Sequence, residues 1–475
     1  MDRFFRLRDH GTTVRAEIFA GLTTFFAMAY IIFVNPAQVA GGGAGGWLVG
    51  AGADVAQMGQ IWNAVYIASI LSAIIGTLLM AFYARLPFAQ ACGMGLNAFF
   101  CTCFVAGAHF AGMDVIDGYH SGLVIIFVSG LVFLILSATG LREYIAKALP
   151  DCLKKAIPAG IGLFIAFIGF QNAGIIEANQ YTLLQFVDFH GHAWAEVVPA
   201  LVALLGVVIS GGRAKLRVKG NVILGVLASA VLYYLLLGQA PSFTMTSVGQ
   251  SFADFGRIGL MGLFKGDAWK LAFSGAHIGG FFSAVILVIT FCLVDMFDTI
   301  GTLYGTASQA GMLDENGDPE NVNQAMMCDS VATVAGALLG TSTTTTFVES
   351  AAGVAEGGRT GLTSLTTAVC FFLCLFLSPL ASIVPSAATA PALIYVGVLM
   401  LKSFAHVDME DPSAAVPAFL ALIMMPMTYS IANGIGIGAI AYVLMRLLTG
   451  KYAKRDIVVT VIGVLFILKF AFISM

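Results

Sequence analysis

Residues 85–100 read Arg85-Leu86-Pro87-Phe88-Ala89-Gln90-Ala91-Cys92-Gly93-Met94-Gly95-Leu96-Asn97-Ala98-Phe99-Phe100, inside a stretch otherwise apolar enough to be a helix in lipid. Pro87 stops that helix, because it lacks an N–H and clashes with the preceding turn. Gly93 and Gly95 then permit an irregular turn into a short helix expected to start near Asn97. A second break reads Gly340-Thr341-Ser342-Thr343-Thr344-Thr345-Thr346-Phe347-Val348-Glu349-Ser350-Ala351-Ala352-Gly353. Four consecutive threonines favour extended backbone over helix, and a new helix is expected from Glu349. Extended backbone at membrane depth is tolerated only where protein or a water-filled cavity satisfies it. The two stretches are therefore expected to pair as short antiparallel strands. Each leads into a half-helix whose free N–H groups point toward the bilayer centre.

The surroundings of both breaks are those of a polytopic membrane protein. Of 475 residues, 59% are hydrophobic and 10% charged, against about 45–50% and about 25% in soluble domains. A soluble enzyme, a disordered scaffold and a secreted disulfide framework are excluded at this step. The net charge of −3 offers no basic excess for nucleic acid. Apolar runs fall at 17–38, 60–83, 93–108, 119–139, 155–171, 194–211 and 217–238. After a polar connection, 239–277, they resume at 278–305, 323–340, 349–358, 360–383, 387–402, 414–429 and 431–449. All are read as helices, since none shows the alternation of a barrel. The fold class is thus all-α, with 14 transmembrane segments, seven on each side of the connection, and two short strands in spans 3 and 10. Interrupted segments at matching positions of two halves point to a transporter substrate site. Gly93-x-Gly95-x-x-Ala98 formally fits a dinucleotide fingerprint, but no βαβ context or acidic partner accompanies it.

Basic residues orient the chain. Arg3, Arg6, Arg8 and Arg15 precede the first span, Arg85 follows the second, Arg142, Lys147, Lys154 and Lys155 precede or open the fifth, and Arg213, Lys215, Arg217 and Lys219 follow the sixth. The connections 42–59, 109–118 and 172–193 contain no Lys or Arg. This places the N-terminus in the cytoplasm. The connection 306–322 departs from the rule with Asp314, Glu315, Asp318 and Glu320 and no base; it is read as a solvated acidic turn, because its spacing fails that of a calcium loop. A last apolar run, 456–474, either crosses or lies along the interface. The N-terminus lacks a cleavage site after a short apolar core, so a retained start is expected. The eight cysteines form no C-x-x-C pair, so no zinc or redox motif is implied.

Carboxylates inside the spans carry the chemistry. Asp295 and Asp298 lie three apart in the eighth span, hence on one helical face. Each costs about 2.5–3.5 kcal/mol at a helix centre, which demands a polar cavity, a cation or protonation. Glu349 opens the tenth half-helix, where the helix dipole favours its charge. Asp329, near the start of the ninth span, is read as structural. No Lys, Arg or His lies near the middle of a span. Acids without bases suggest a site that takes up a cation, most simply H⁺, with a substrate offering N–H donors. Asn97, facing Glu349 across the break, either donates and accepts with a planar heterocycle or caps its helix. Phe88, Phe99, Phe100 and Phe347 are candidates for stacking, though phenylalanine is abundant enough for each to be packing.

The chain resembles the AzgA-like purine permeases of the nucleobase–ascorbate transporter superfamily. The resemblance is carried by His10-Gly-Thr-Thr-Val-Arg15-Ala-Glu17, Gly21-Leu-Thr-Thr24, Gly93-Met-Gly-Leu-Asn97-Ala-Phe-Phe100, Phe297-Asp298-Thr-Ile-Gly301-Thr-Leu, Val348-Glu349-Ser-Ala-Ala-Gly353-Val-Ala-Glu-Gly-Gly-Arg359-Thr-Gly-Leu-Thr363 and Pro391-Ala-Leu-Ile-Tyr395-Val-Gly, in order over nearly the whole chain. It implies an inverted seven-plus-seven repeat, with a core domain from 1–140 and 278–384, a gate domain from 141–238 and 385–449, an extracytoplasmic connection 239–277 and a hydrophobic tail 450–475. It implies proton-coupled import of adenine, guanine or hypoxanthine across the cytoplasmic membrane by elevator-like movement, with no cofactor and Na⁺ as the alternative coupling ion. Substrate contacts are implied for Asp295, Glu349 and Asn97, with Val348 and Phe99 beside them, and proton coupling for Asp298, Asp295 and Glu349. A homodimer through the gate helices is expected. The alternative on the same architecture is an anion carrier like the sulfate permeases, disfavoured by acids without a mid-membrane base. An intramembrane enzyme lacks any supporting motif, and a passive channel fits matched broken helices less well.

Overall fold

The computed structural model describes residues 2–42, 47–139, 149–179, 181–216, 218, 220–240, 247–310, 312, 320–381 and 383–472. Arg142, Lys147, Arg217, Lys219, Asp314, Glu315 and Asp318, and the expected boundary at 140/141, lie outside the described residues. Helix α1 (Val14–Met28) starts at Thr13, whose hydroxyl accepts from the Ala16 amide at 3.2 Å. After a turn at Ala29 and Tyr30 the chain resumes as α2 (Ile31–Val39). Asp54 caps α3 (Val55–Leu79) through the Ala56 amide at 2.7 Å. A π turn, Met80–Ala84, follows, and Arg85 ends it with φ of 59°. Beyond Pro87 come β1 (Gln90–Cys92), α4 (Met94–Phe100), α5 (Val115–Thr139) and α6 (Asp151–Asn172). A hairpin of β2 (Ile176–Asn179) and β3 (Leu183–Phe186) leads to α7 (Trp194–Lys215) and α8 (Asn221–Leu237). Then follow α9 (Val248–Asp254), α10 (Ala268–Ser274), α11 (Gly280–Ala310), α12 (Val322–Leu339), β4 (Thr344–Thr346), α13 (Ser350–Ala355) and α14 (Gly361–Cys374). The chain closes with α15 (Ser386–Met400), α16 (Pro412–Met427), α17 (Ile431–Leu448) and α18 (Ile457–Phe472).

The molecule is a helical, multi-pass membrane protein with a few short strands. Among the described residues nine helices are long and apolar enough to cross a bilayer on their own, and four shorter apolar helices accompany them. A break shortens its span: the expected tenth span contributes only the six helical residues of α13. Helices α1, α2, α3, α5, α12, α13 and α14 pack on one another, and α6, α7, α8, α15, α16 and α17 form a second set. Helix α4 joins the first set through α2, and α11 through α5 and α13; the two sets meet where α6 touches α4 and α11, α8 touches α1 and α15 touches α2.

Three local expectations are corrected. The first half-helix begins at Met94, not near Asn97, because Gly93 already adopts the extended N-cap conformation. The base-free connection 172–193 contains the β2–β3 hairpin. Residues 247–277 of the connection 239–277 are folded, not a polar loop: α9 packs on α3 and α10 on α5. Buried Asp254 accepts from Asn63 at 2.8 Å and from Gln250 at 3.1 Å. Trp269 meets Phe127 edge-on at 6.4 Å. The tail segment also packs, as α18 against α17.

Candidate functional site

Strands β1 and β4 pair antiparallel, Gln90 opposite Thr346, Ala91 opposite Thr345 and Cys92 opposite Thr344. The Gly93 amide to the Thr343 carbonyl and the Phe347 amide to the Ala89 carbonyl, both 3.0 Å, extend the ladder. The threonine hydroxyls fasten this ribbon to its surroundings. Thr344 meets Ser72 of α3 at 2.5 Å and Thr345 meets Thr299 of α11 at 2.7 Å, while Thr346 accepts from Gln90 across the ribbon itself at 3.3 Å. β-branching suits the strand, and each hydroxyl supplies a partner that would otherwise be missing in lipid. Gly340, with φ of 104°, makes the turn out of α12, where a Cβ would meet Gly259 and the Tyr119 hydroxyl.

Where the ribbon gives way to the two half-helices, a cavity of about 440 Å³ opens between the two helix sets. Its floor is Gly93–Leu96 on one side and Thr345–Glu349 on the other. Val294, Asp298 and Thr302 of α11 form one wall, and Pro158, Ile161 and Ile165 of α6 with Val396, Leu399 and Met400 of α15 form the opposite one. Lys402 and Ser403, just past α15, complete the lining. The lining is mostly apolar with two convergent carboxylates, Asp298 and Glu349, the composition expected of a small-molecule site. Gly95 sets its width: a Cβ there would collide with Cγ2 of Ile161 on α6. Among the described residues no group of three or more His, Cys, Asp or Glu is arranged to hold a metal ion.

The candidate residues divide between the cavity and its support. Asp298, Glu349 and Val348 line it. Asp295, one turn before Asp298, is buried and turned to α12, where Thr333 donates to its Oδ2 at 2.8 Å; the two aspartates do not share a target. Asn97 lies wholly buried, donating to Asn35 of α2 and accepting from Ser342. Phe99 packs on Phe291 with ring centroids 5.2 Å apart. Neither Asn97 nor Phe99 lines the cavity. Phe347 does, while Phe88 and Phe100 are core. Asp329 accepts from Thr299 at 2.6 Å and from Gln90 at 3.1 Å, which ties α12 to α11 and β1.

Sequence reasoning missed several contributors. Tyr30 donates to Oε1 of Glu349 at 2.6 Å; a lone tyrosine inside a span was the available signal, because a buried phenol needs a partner. Thr333 and Gln90 carried no such signal. Lys402, the last residue of the apolar run 387–402, carried no signal of its own. Glu17 is wholly buried on α1, and its carboxylate accepts from the amides of Arg359 at 2.9 Å, Thr360 at 3.3 Å and Thr363 at 3.1 Å, and from the Thr363 hydroxyl at 2.6 Å. A carboxylate on the first turn of α14 satisfies the helix's free donors. The guanidinium of Arg359 in turn holds the Val354 carbonyl at 2.6 Å. The run from Glu356 to Thr363 therefore anchors the far end of α13.

A family model described as a permease family matches residues 15–437. The chain is 40% identical to the guanine/hypoxanthine permease PbuG of Bacillus subtilis, over 100% of both chains. It is 36% identical to the adenine permease AdeP of Escherichia coli, over 100% of this chain and 96% of that one. Its fold is similar to the transmembrane domain of a cyanobacterial bicarbonate transporter, BicA, with a TM-score of 0.58 at 15% identity, covering 88% of this chain and 97% of that domain.

Proposed function

The chain belongs to the nucleobase–ascorbate transporter family and is a permease, not an enzyme, and from that premise we propose that it imports a purine nucleobase by proton symport. One observation carries the reading: Asp298 and Glu349 face a mainly apolar cavity at the meeting of two half-helices. A flat uncharged ring with N–H donors suits such a lining, its faces against Ile161, Leu96 and Phe347 and its edge on the carboxylates. The names of full-length relatives, guanine/hypoxanthine and adenine permeases, support the substrate class. Asp295, Asn97 and Phe99 act from behind the cavity, holding α11 and α4.

Uptake of a proton by the carboxylate pair removes one of its two negative charges before the site crosses with its ligand, and each inward proton gains about 2.3 kcal/mol per 100 mV. Fourteen crossings in an inverted seven-plus-seven arrangement, a cytoplasmic N-terminus, and a core moving against a gate as an elevator complete the proposal. The set containing α6 and α15 is the gate, and it also forms the homodimer contact. An anion carrier is the second reading, supported by the likeness of fold to BicA and by Lys402 in the lining, and opposed by the two carboxylates there.

The test is uptake of labelled adenine and hypoxanthine in competition with unlabelled bases and with sulfate, with and without a protonophore, and with and without Na⁺. The proposal expects saturable uptake competed by purines, insensitive to sulfate and collapsed by the protonophore. Sulfate competition without purine competition overturns it, and uptake that follows Na⁺ instead overturns the proton coupling.

A further inference from the structure

Glu349 reaches the cavity, yet one of its oxygens is already engaged from the other side. Tyr30 sits at the turn between α1 and α2, is fully buried, and is not part of the cavity lining. Its hydroxyl donates to Oε1 of Glu349 at 2.6 Å, a length typical of an O–H donor on a charged oxygen. Five residues on, Asn35 of α2 bonds to Asn97 of the opposite half-helix and to Ser69 of α3. One short segment, Tyr30 to Asn35, thus grips both broken spans from behind.

We propose that Tyr30 is a positioning residue for ligand binding: its hydroxyl, bonded to Oε1 of Glu349 from outside the cavity, turns the other oxygen to the bound base. The chemistry follows from donor counting. Tyr30 has one proton to give, and Oε1 accepts it. Oε2 is left to take an N–H from the base while the group is charged. When the group takes up a proton, that proton goes to Oε2, because Oε1 still accepts from Tyr30, and Oε2 then faces the base as a donor. The same Glu349 rotamer serves both states, and the base meets it with an N–H in the first and with a ring nitrogen or carbonyl acceptor in the second. This inference rests on the reading of the cavity as a nucleobase site.

The experiment is Tyr30→Phe, which keeps the ring and removes only the hydroxyl, assayed by purine uptake at known surface abundance. Loss of a hydrogen bond to a charged group predicts a KM raised about tenfold, with the maximal rate per transporter changed less than about twofold. Competition by singly N-methylated purines adds a readout that a merely structural tyrosine would not move: the penalty for the methyl nearest Glu349 should shrink in Tyr30→Phe. An unchanged KM and an unchanged methyl ranking overturn the proposal, as does a fall in maximal rate with KM intact. Should Tyr30→Phe fail to reach the membrane, 3-fluorotyrosine at position 30 decides. It keeps shape and hydroxyl but donates more strongly, so KM should fall, and an unchanged KM overturns the proposal. Wild-type uptake that no purine competes would instead defeat the reading of the cavity itself.

Discussion

The two broken spans share a backbone plan and differ in chemistry. In the first, β1 and α4 present Gly93, Met94, Gly95 and Leu96 to the cavity and turn the polar Asn97 inward to Asn35 and Ser342. In the second, β4 and α13 bring Glu349 itself to the cavity. The first arm therefore supplies shape and the second supplies hydrogen bonding. Matched architecture does not imply matched roles: the side chain on each first turn decides which arm brings a carboxylate to the cavity.

The largest effect should come from the second arm. Glu349→Gln should lower saturable purine uptake about a hundredfold, by leaving a buried donor or acceptor of the base unmatched, while the protein remains in the membrane; uptake kinetics beside surface labelling check this. On the first arm Gly95→Ala should cost about tenfold in uptake, since overpacking against Ile161 costs about 1–3 kcal/mol, and the effect should be relieved by Ile161→Ala, which removes the Cγ2 that a Cβ at position 95 would meet. Asn97→Ala should act differently again. It strands buried partners worth about 1–3 kcal/mol, so the melting temperature in detergent should fall while KM stays within about threefold. A KM raised as far as that of Glu349→Gln would show Asn97 in contact with the base and erase the contrast between the arms. Smallest of all, Lys402→Gln removes an exposed cation beside the cavity and should change KM by no more than about threefold, with the change fading at high salt.

The breaks themselves were legible because their causes are local. Pro87 ends a helix wherever it stands, and the run Thr343–Thr346 prefers a strand before any neighbour is known. Glu349 and Asp298 were legible because an acid within an apolar run has few permitted surroundings. The direction of Asn97 was not, because it depends on where the half-helix starts and on which neighbour, here α2, lies behind it. Asp295 shows the same limit: the spacing to Asp298 gives proximity on α11, but Thr333 of α12 decides what the carboxylate meets. The fold of residues 247–277 was hidden by their charges. Asp254 and Arg257 look like loop residues until Asn63, nearly two hundred positions earlier, supplies the buried partner.

The most direct measurement is a cryo-EM structure of the protein with adenine or hypoxanthine bound. The account predicts ring density in the cavity between Gly93–Leu96 and Thr345–Glu349, with an edge within hydrogen-bond distance of Glu349, Tyr30 still on the opposite oxygen, and Asn97 still on Asn35. Purine density elsewhere, or in the cavity with Glu349 turned away and Asn97 against the ring, would contradict it.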